Sequence, residues 1–373
     1  MSDLTVIPVS DRADRKRFLT FPWQLYRDDP NWVPPLRRNQ EELVGYRRHP
    51  FYERNECQTF LAMRGGDVCG RIAAIVNHGH LERYKDERGF FGFFECVEDP
   101  RVAAALFDAA RQWLADRGLK SVRGPLNPSL SYEVGTLVEG FDSPPTFMMT
   151  YNPPYYPRLI EGCGFRKVQD LYAYWGSVEM LPAIQARYQR NSDQILERLG
   201  VHLRPLDRSH FIEDVERFLD VFNRSLSNTW GFVPMTPAEV RHAAEGLRHL
   251  IVPELALGAE IDGQMAGAVL CLPDYNPRIK RIDGRLFPFG ALRLLYAKRR
   301  IPRLRILSAN VLPEYQLLGV GLVLLSGLVP KAIDWGVREA EFSWILESNA
   351  LSRGSLEKGG AKRYKTYRIY DLD

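Results

Sequence analysis

The chain has 373 residues, of which 45% are hydrophobic and 26% are charged, and its formal net charge is +4 at pH 7. This composition predicts a globular protein with a buried core, and the length favours two domains over one. So small a net charge does not by itself require a nucleic-acid partner.

The sequence carries no targeting or metal signal. Residues 1–14 are polar and charged and do not have the apolar segment of a signal peptide. The longest apolar run, 317–329, is shorter than the ~18 residues that span a bilayer. The five cysteines are scattered and form no Cys-x-x-Cys pair, which argues against a disulfide framework or a zinc site. We therefore expect a cytoplasmic protein that uses no metal.

The first half of the chain predicts a mixed order of strands and helices. Alternating apolar residues indicate the strands, and a helical spacing of apolar residues indicates the helices. In chain order these are strand 5–9, helix 12–27, hairpin 59–76, strand 89–96, helix 102–117, strand 120–123, helix 159–164 and strand 168–175.

A long irregular stretch, 124–157, interrupts this order and is rich in Pro, Asn, Tyr and Gly. Such a segment inside a compact domain is either disordered or functional, and its aromatic content argues against disorder. One interpretation is a wall that faces a substrate, and the other is a packed loop in which Tyr and Pro are structural. Under the first interpretation the candidate substrate-binding residues are Asn127, Tyr132, Glu133, Tyr151 and Asn152.

A polar helix at 182–199 predicts a linker, after which the second half repeats the order. Its hairpin has an Asp-Gly turn, which is the strongest hairpin signal in the chain. The predicted elements are strand 201–206, helix 212–226, a helix that begins at Thr236, hairpin 255–272, strand 305–311, helix 322–335, strand 340–346, helix 350–358 and strand 362–371.

An insertion at 273–303 lies between that hairpin and the next strand. It holds nine basic and two acidic residues, a net charge of +7, so the rest of the chain carries −3. Large apolar residues are interleaved with the basic ones, and among them Phe287 and Phe289 are candidates for contact with a substrate. Such a segment is typical of contact with an anionic membrane surface or a long-chain anionic ligand. The alternative is a solvated basic flap over phosphate groups.

The stretch Leu312–Gly321 joins strand 305–311 to the long apolar helix. Gly319 and Gly321 lack a Cβ, so the turn can take a positive φ and a pyrophosphate can approach the main chain. The free N–H groups at a helix N-terminus also favour an anion. The pattern has neither Gly-x-Gly-x-x-Gly nor Gly-Lys-Ser/Thr, so it is not a dinucleotide or Walker loop. An ordinary strand-to-helix turn is the alternative.

The spacing Gln316-x-x-Gly319-x-Gly321 resembles the Gln/Arg-x-x-Gly-x-Gly/Ala pyrophosphate loop of the GNAT superfamily of acyl-CoA N-acyltransferases. The second half has the element order of that family around the loop, and the first half resembles it more faintly. The resemblance implies an α/β fold (an α+β mixed sheet) of two GNAT-like domains in tandem. We expect an N-terminal domain at 1–180, a helical linker at 181–200 and a C-terminal domain at 201–373.

The resemblance also implies that the C-terminal domain binds acyl-CoA, as a co-substrate. In the family a backbone N–H before the loop contacts the thioester or pantetheine, the loop amides bind the pyrophosphate, and an Asn heads the helix after the next strand. The corresponding residues here are Val311, Leu312, Gln316, Leu317, Leu318, Gly319, Val320, Gly321 and Asn349. In the first half the corresponding stretch, 97–101, has two acids and no glycine, so we do not expect coenzyme A there.

Four stretches narrow the resemblance to tandem GNAT proteins that include the bacterial ceramide synthases: Arg123–Ser129, Tyr151–Tyr156, Gly284–Gly290 and Lys362–Tyr370. This subgroup implies N-acylation of a long-chain lipid amine such as 3-oxosphinganine or sphinganine, at the inner face of the membrane if the insertion contacts it. The alternatives are a small-molecule amine N-acetyltransferase, an aminoacyl-tRNA-dependent transferase of the Fem type, and an inactive acyl-CoA-binding regulator.

Acylation of an amine by a thioester needs a neutral amine, a polarised carbonyl and a proton for the leaving thiolate. The usual acid of the family, a Tyr seven residues past the Asn, is replaced here by Leu356. The candidates for a base are Glu347, at the end of a strand, and Glu95, whose Phe neighbours would raise its pKa. Tyr364 is the candidate replacement acid. A structural hydrogen bond or packing is the alternative for all three.

Overall fold

A computed structural model describes residues 3–373, and for residues 181–188 it describes the backbone only. The mixed α/β order predicted from sequence is confirmed. Elements before the linker are β1 (Leu4–Pro8), α1 (Arg12–Leu25), α2 (Arg37–Leu43), β2 (Glu56–Arg64), β3 (Asp67–Val76), α3 (His78–Tyr84), β4 (Arg88–Cys96), α4 (Pro100–Ala115), β5 (Ser121–Gly124), β6 (Leu126–Asn127), β7 (Glu133–Val134), β8 (Thr136–Glu139), α5 (Tyr156–Gly162) and β9 (Arg166–Ser177).

The linker helix predicted at 182–199 is α6 (Leu181–Leu199). The elements that follow are β10 (His202–Pro205), α7 (Phe211–Ser225), α8 (Pro237–Leu247), β11 (Ala256–Ile261), β12 (Gln264–Pro273), α9 (Asn276–Arg281), α10 (Gly290–Leu295), β13 (Arg303–Val311), α11 (Val320–Trp335), β14 (Glu339–Leu346), α12 (Ala350–Lys358) and β15 (Lys362–Leu372).

The chain divides into two compact units. The first contains the described residues up to Leu171, together with Asn276–Ala291 and Lys365–Asp373, and the second contains Tyr172–Tyr275 and Leu292–Tyr364. The late segments of the first unit do not follow the contiguous order that we predicted, and the boundaries at 180 and 200 stay predictions.

Strands β1 to β4 of the first unit form an antiparallel sheet, and β5 then pairs parallel with β4. The end of β15 pairs antiparallel with β5 and with β8. Helix α4 packs its apolar face, which includes Leu106, Phe107 and Ala110, on this sheet. Its ridge of apolar residues is the helical spacing that the sequence predicts.

The second unit has the strand order β10-β11-β12-β13-β14. The first four strands are antiparallel, and β14 pairs parallel with β13. Helix α11 packs against the sheet through Val320, Val323, Leu324 and Leu328, which are all buried. This burial explains why the helix is apolar along most of its length.

Candidate active site

The parallel strands β13 and β14 part in the middle of their length. Their paired positions run from Arg303–Glu339 to Ile306–Phe342, while the strands themselves continue to Val311 and Leu346. On its other side β13 stays paired with β12 as far as Val311. The end of β13 therefore presents one backbone edge that an amide-containing ligand such as pantetheine could pair with.

The loop after β13 leads directly into the N-terminus of α11. Gln316 donates a side-chain hydrogen bond of 3.1 Å to the carbonyl oxygen of Val311, which ties the loop to the strand end. Gly319 takes a left-handed conformation, φ 88°, and α11 starts without a side-chain cap. Because the first N–H groups of a helix have no partner within it, the start of α11 is a place where an anion can bind.

The two loop glycines differ in what surrounds them. A Cβ at Gly319 would lie 2.5 Å from Cδ1 of Ile195, whereas the nearest atom to a Cβ at Gly321 is 3.7 Å away. The fold itself therefore favours glycine at 319, through the positive φ. It does not require glycine at 321, where the approach of a ligand stays a prediction.

The corresponding helix of the first unit, α4, has its N-terminus occupied. The Asp99 carboxylate accepts a hydrogen bond from the backbone N–H of Arg101, at 2.9 Å, and one from Nη2 of Arg64, at 2.6 Å. Hydrogen bonds from Arg101 and then Arg64 hold the pKa of Asp99 well below its usual range. A carboxylate that stays ionised at this position would repel a phosphate.

The parallel strands of the first unit also part, but their gap is filled. Pairing of β4 with β5 ends at Phe90–Arg123, and the short strand β6 comes next to the continuing part of β4. A Cβ at Gly92 would lie 2.0 Å from the carbonyl oxygen of Leu126. Asn127 accepts a 2.6 Å hydrogen bond from the backbone N–H of Phe93. The chain itself thus takes the position that pantetheine would need.

Glu95 lies in a buried polar cluster of the first unit. Its Oε2 accepts hydrogen bonds from the hydroxyls of Tyr26, at 2.6 Å, and Tyr156, at 2.7 Å. Arg71, which is 4% exposed, lies 3.5 Å from the other carboxylate oxygen. Burial raises the pKa of Glu95 and outweighs the opposing effects of Arg71 and the two tyrosines. The raised pKa that the Phe neighbours led us to expect is therefore present.

Glu133 and Asn127, two predicted substrate residues, are in contact. Nδ2 of Asn127 donates to Glu133 at 3.3 Å, and so does Nε2 of Gln40 at 3.3 Å. Burial raises the pKa of Glu133, and the nearby Glu95 raises it further. The structure thus brings Asn127, Glu133 and Glu95 into one region of the first unit.

The other predicted residues of the 124–157 stretch have mainly packing contacts. The ring of Tyr132 makes edge contacts with His49, at 5.3 Å, and with Phe51. The Tyr151 hydroxyl donates to Asp29 at 2.9 Å. Asn152 is 6% exposed, and its amide group bonds to the backbone of Leu137 and Pro153. The part of Asn152 that a substrate would need is therefore already used by the fold.

The insertion is tied to the first unit near its Phe residues. Asp283 accepts hydrogen bonds from Nε1 of Trp23, at 2.5 Å, and from Arg37, at 2.6 Å. Just beyond, Phe287 is 88% exposed and Phe289 is 64% exposed. The predicted insertion is thus anchored through Asp283 and presents two aromatic side chains to solvent.

Tyr364 and Glu347 lie in the second unit. The Tyr364 hydroxyl donates a hydrogen bond to Glu341, a fully buried carboxylate on β14. Glu347 is half-buried in the turn after β14. Asn349 caps α12 by accepting the N–H of Ser352 at 3.0 Å. Tyr364, like Glu95, therefore makes a specific polar contact with a buried group.

Sequence reasoning did not find Arg71, Tyr26, Tyr156 or Glu341. Their partners lie 23 to 69 residues away in the chain, so no local pattern connects them. The one signal available was a charged residue within an apolar strand: Arg71 lies between Gly70 and Ile72, and Glu341 lies between Ala340 and Phe342. Such a charge is buried only if it is paired.

No helix within the part of the chain that the structure describes is long and apolar enough to cross a membrane.

Comparison with known proteins finds relatives over nearly the whole chain. No family model matches the chain. A bacterial ceramide synthase from Caulobacter vibrioides is 36% identical over 385 residues, which cover 99% of this chain and 97% of that protein. Protein YghO from Escherichia coli is 35% identical over 370 residues, covering 97% of this chain and 93% of that protein.

Solved structures with the same fold have much lower sequence identity. A tandem GNAT protein from the clavulanic acid biosynthesis pathway aligns with a TM-score of 0.57 at 12% identity, covering 99% of this chain and 98% of that one. A GCN5-related N-acetyltransferase from Sphaerobacter thermophilus aligns with a TM-score of 0.53 at 13% identity, covering 99% and 95%. The fold of two GNAT-like domains predicted from sequence is confirmed.

Proposed function

Because this chain belongs to the family of the bacterial ceramide synthase, a group of tandem GNAT acyltransferases, we propose that it acylates a long-chain lipid amine. The acyl donor is acyl-CoA, as the GNAT fold implies. The acceptor is a long-chain amine of the 3-oxosphinganine or sphinganine type, and the product is an N-acyl amide.

The observation that carries the proposal is the contrast between the two units. The second unit has parted strands followed by an uncapped helix behind the Gly319 turn. In the first unit Asp99 caps the helix and Leu126–Asn127 fill the gap. Residues Val311 to Gly321 thus supply the donor site, with backbone N–H groups for the thioester and the pyrophosphate.

The first unit holds its own group of predicted site residues. Glu95 and Glu133 are carboxyl groups with raised pKa values, and Asn127 and Tyr151 lie near them. Carboxyl groups accept hydrogen bonds from N–H groups. A carboxyl group with a raised pKa is also a candidate general base. Glu347 remains the second candidate for the base.

The exposed aromatic residues suit a lipid substrate. Phe287 and Phe289 flank a proline at the exposed end of the anchored loop, and Arg285 beside them is 64% exposed. Exposed aromatic and basic side chains together favour the interface of an anionic membrane. In this proposal the loop with Phe287 and Phe289 contacts the membrane peripherally, and the substrate amine is taken from the membrane surface.

The test is an acylation assay with the purified full chain. Acetyl-CoA, octanoyl-CoA and palmitoyl-CoA are each offered with sphinganine, 3-oxosphinganine or a small water-soluble amine, and free thiol and N-acyl product are both measured. We expect thiol release with a long-chain amine only. Turnover of small amines with acetyl-CoA would favour a small-molecule acetyltransferase. Binding of aminoacyl-tRNA that weakens steeply with salt would favour a Fem-type transferase.

A further inference from the structure

The hydroxyl of Tyr364 is hydrogen-bonded to a buried carboxylate, that of Glu341. Glu341 is 0% exposed and lies on β14, one residue before the last paired position, Ile306–Phe342. The Tyr364 hydroxyl donates to one of its oxygens, and the Ser343 hydroxyl donates to the other. Tyr364 itself is half-buried.

The pair is held from the neighbouring strand. Arg305, which is 3% exposed, is the register partner of Glu341 on β13. Its Nε donates to Oγ of Ser343 at 2.9 Å, and its Nη2 donates to the carbonyl oxygen of Ser343 at 3.3 Å. Arg305 is thus linked to Glu341 through the hydroxyl of Ser343, and Tyr364 is hydrogen-bonded to Glu341 directly.

This network lies where the strands part. Ser343 is the first residue of β14 beyond the last paired position, so Glu341 and Ser343 flank the start of the opening. Burying a carboxylate and a guanidinium costs several kcal/mol unless each is fully bonded, and apolar residues of similar size often give equal or greater stability. A function in the opening explains the network better than stability does.

We propose that Glu341 is a positioning residue that orients the Tyr364 hydroxyl and exchanges a proton with it during acyl transfer. As the amine nitrogen forms its bond to the thioester carbon, its proton passes to the Tyr364 oxygen, and the hydroxyl proton of Tyr364 passes to Glu341. When the C–S bond breaks, the proton returns through Tyr364 to the thiolate. The amide and the free thiol are then formed with no external acid or base.

The inference deepens the proposed function and rests on it. It makes Tyr364 the group that touches the reacting atoms, whereas Glu341 acts only through Tyr364. Glu95 and Glu347 then have no obligatory part in the proton transfer, which separates this inference from the simpler assignments of a base.

The experiment compares steady-state kinetics of Tyr364→Phe, Glu341→Gln and the double variant in the full chain. We expect kcat to fall about 100-fold in Tyr364→Phe, as for loss of a general acid or base, with KM for acyl-CoA changed less than threefold. Glu341→Gln should lower kcat at least tenfold. The double variant should be no slower than Tyr364→Phe, since both changes interrupt one path.

A second Tyr–Glu pair provides the matched control. The Tyr174 hydroxyl donates to Glu357 at 2.8 Å in the same unit, outside the parted strands. Tyr174→Phe should keep kcat within twofold. If Glu341→Gln does not fold, Tyr364→Phe still decides, because it keeps the ring. A kcat within twofold of wild type in Tyr364→Phe, or additive losses in the double variant, would overturn this inference and leave the proposed function standing. A wild-type protein inactive with every donor and amine would overturn the proposed function as well.

Discussion

Gly319 and Gly321, at the start of α11, differ in what the fold requires of each position. At Gly319 the left-handed φ disfavours any residue with a Cβ, so the preference for glycine is built into the fold. At Gly321 the protein leaves room for a methyl group. A sequence pattern records both as glycine and cannot separate a conformational requirement from one imposed by a ligand.

Gly319→Ala should therefore destabilise the protein, and Gly321→Ala should not. The left-handed conformation costs a non-glycine residue about 1–2 kcal/mol, and the end of the Ile195 side chain can move away from the new Cβ. At 321, early in a helix, alanine adds up to ~1 kcal/mol of stability over glycine. Urea unfolding of the two variants measures the difference. Equal midpoints would show that the loop conformation is not fixed by Gly319.

Glu133 should make stability fall as pH rises. Burial raises its pKa, so the folded chain keeps the proton above pH ~4.3, where the unfolded chain releases it. The stabilisation is complete below the unfolded pKa and is lost as pH rises through the folded pKa.

Glu133→Gln removes this titration and keeps a similar shape. The free energy of unfolding of the variant minus that of wild type should increase between pH 4.5 and pH 8, by up to ~1.4 kcal/mol per unit of pKa shift, and the difference between their melting temperatures should increase with it. Thermal melts at matched ionic strength test this. A difference that stays constant across the range would mean that the pKa of Glu133 is not raised in the folded chain.

At the scale of elements, the two helix N-termini show how one fold gives two outcomes. α4 begins with its own carboxylate cap, while α11 begins behind a glycine turn with no cap. The sequence was sufficient to predict this contrast, because caps, glycines and acids are local signals. It was not sufficient to predict that β6 fills the gap beside β4, because that contact joins Gly92 to Leu126 across 34 residues. The buried polar networks around Glu95 and Glu341 could not be predicted for the same reason, because their partners lie far apart in the chain.

Gly92→Ala tests the filled gap. A Cβ there would lie 2.0 Å from the carbonyl oxygen of Leu126, and backbone cannot move aside as a side-chain end can. We expect a loss of stability of about 2 kcal/mol or more, within the range of overpacked cores. Gly162→Ala in α5 is the control, since nothing lies within 4 Å of its Cβ. If both variants melt like wild type, β6 does not pack in the gap.

At the scale of the whole molecule, the two contiguous domains predicted from sequence differ from the two compact units, because the first unit includes segments from late in the chain. Residues 365–373 and 276–291 group with the first unit although they come late in the chain. Lys365 is 0% exposed and donates hydrogen bonds to the carbonyl oxygens of Gly140 and Ser143. Local periodicity predicts a strand at 362–371 but contains no information about which sheet that strand joins.

The insertion should bind anionic membranes through its aromatic residues. In vesicle sedimentation with anionic and zwitterionic lipids, wild type should bind the anionic vesicles, and the binding should weaken with salt. Replacing Phe287 and Phe289 together with Ser should weaken it at least tenfold, because burial of each ring contributes up to ~3 kcal/mol. Leu351→Ser, at a residue 64% exposed on α12, is the control. Unchanged binding of the double variant would exclude this surface.

The most direct test of the account is the stoichiometry of acyl-CoA binding, measured by titration calorimetry without an amine. We expect one acyl-CoA per chain. Leu317→Glu, at a loop residue 89% exposed, should weaken binding severalfold by placing a negative charge beside the phosphates, whereas Leu351→Glu should not. Two acyl-CoA molecules per chain, or an affinity unchanged by Leu317→Glu, would contradict a single donor site at the start of α11.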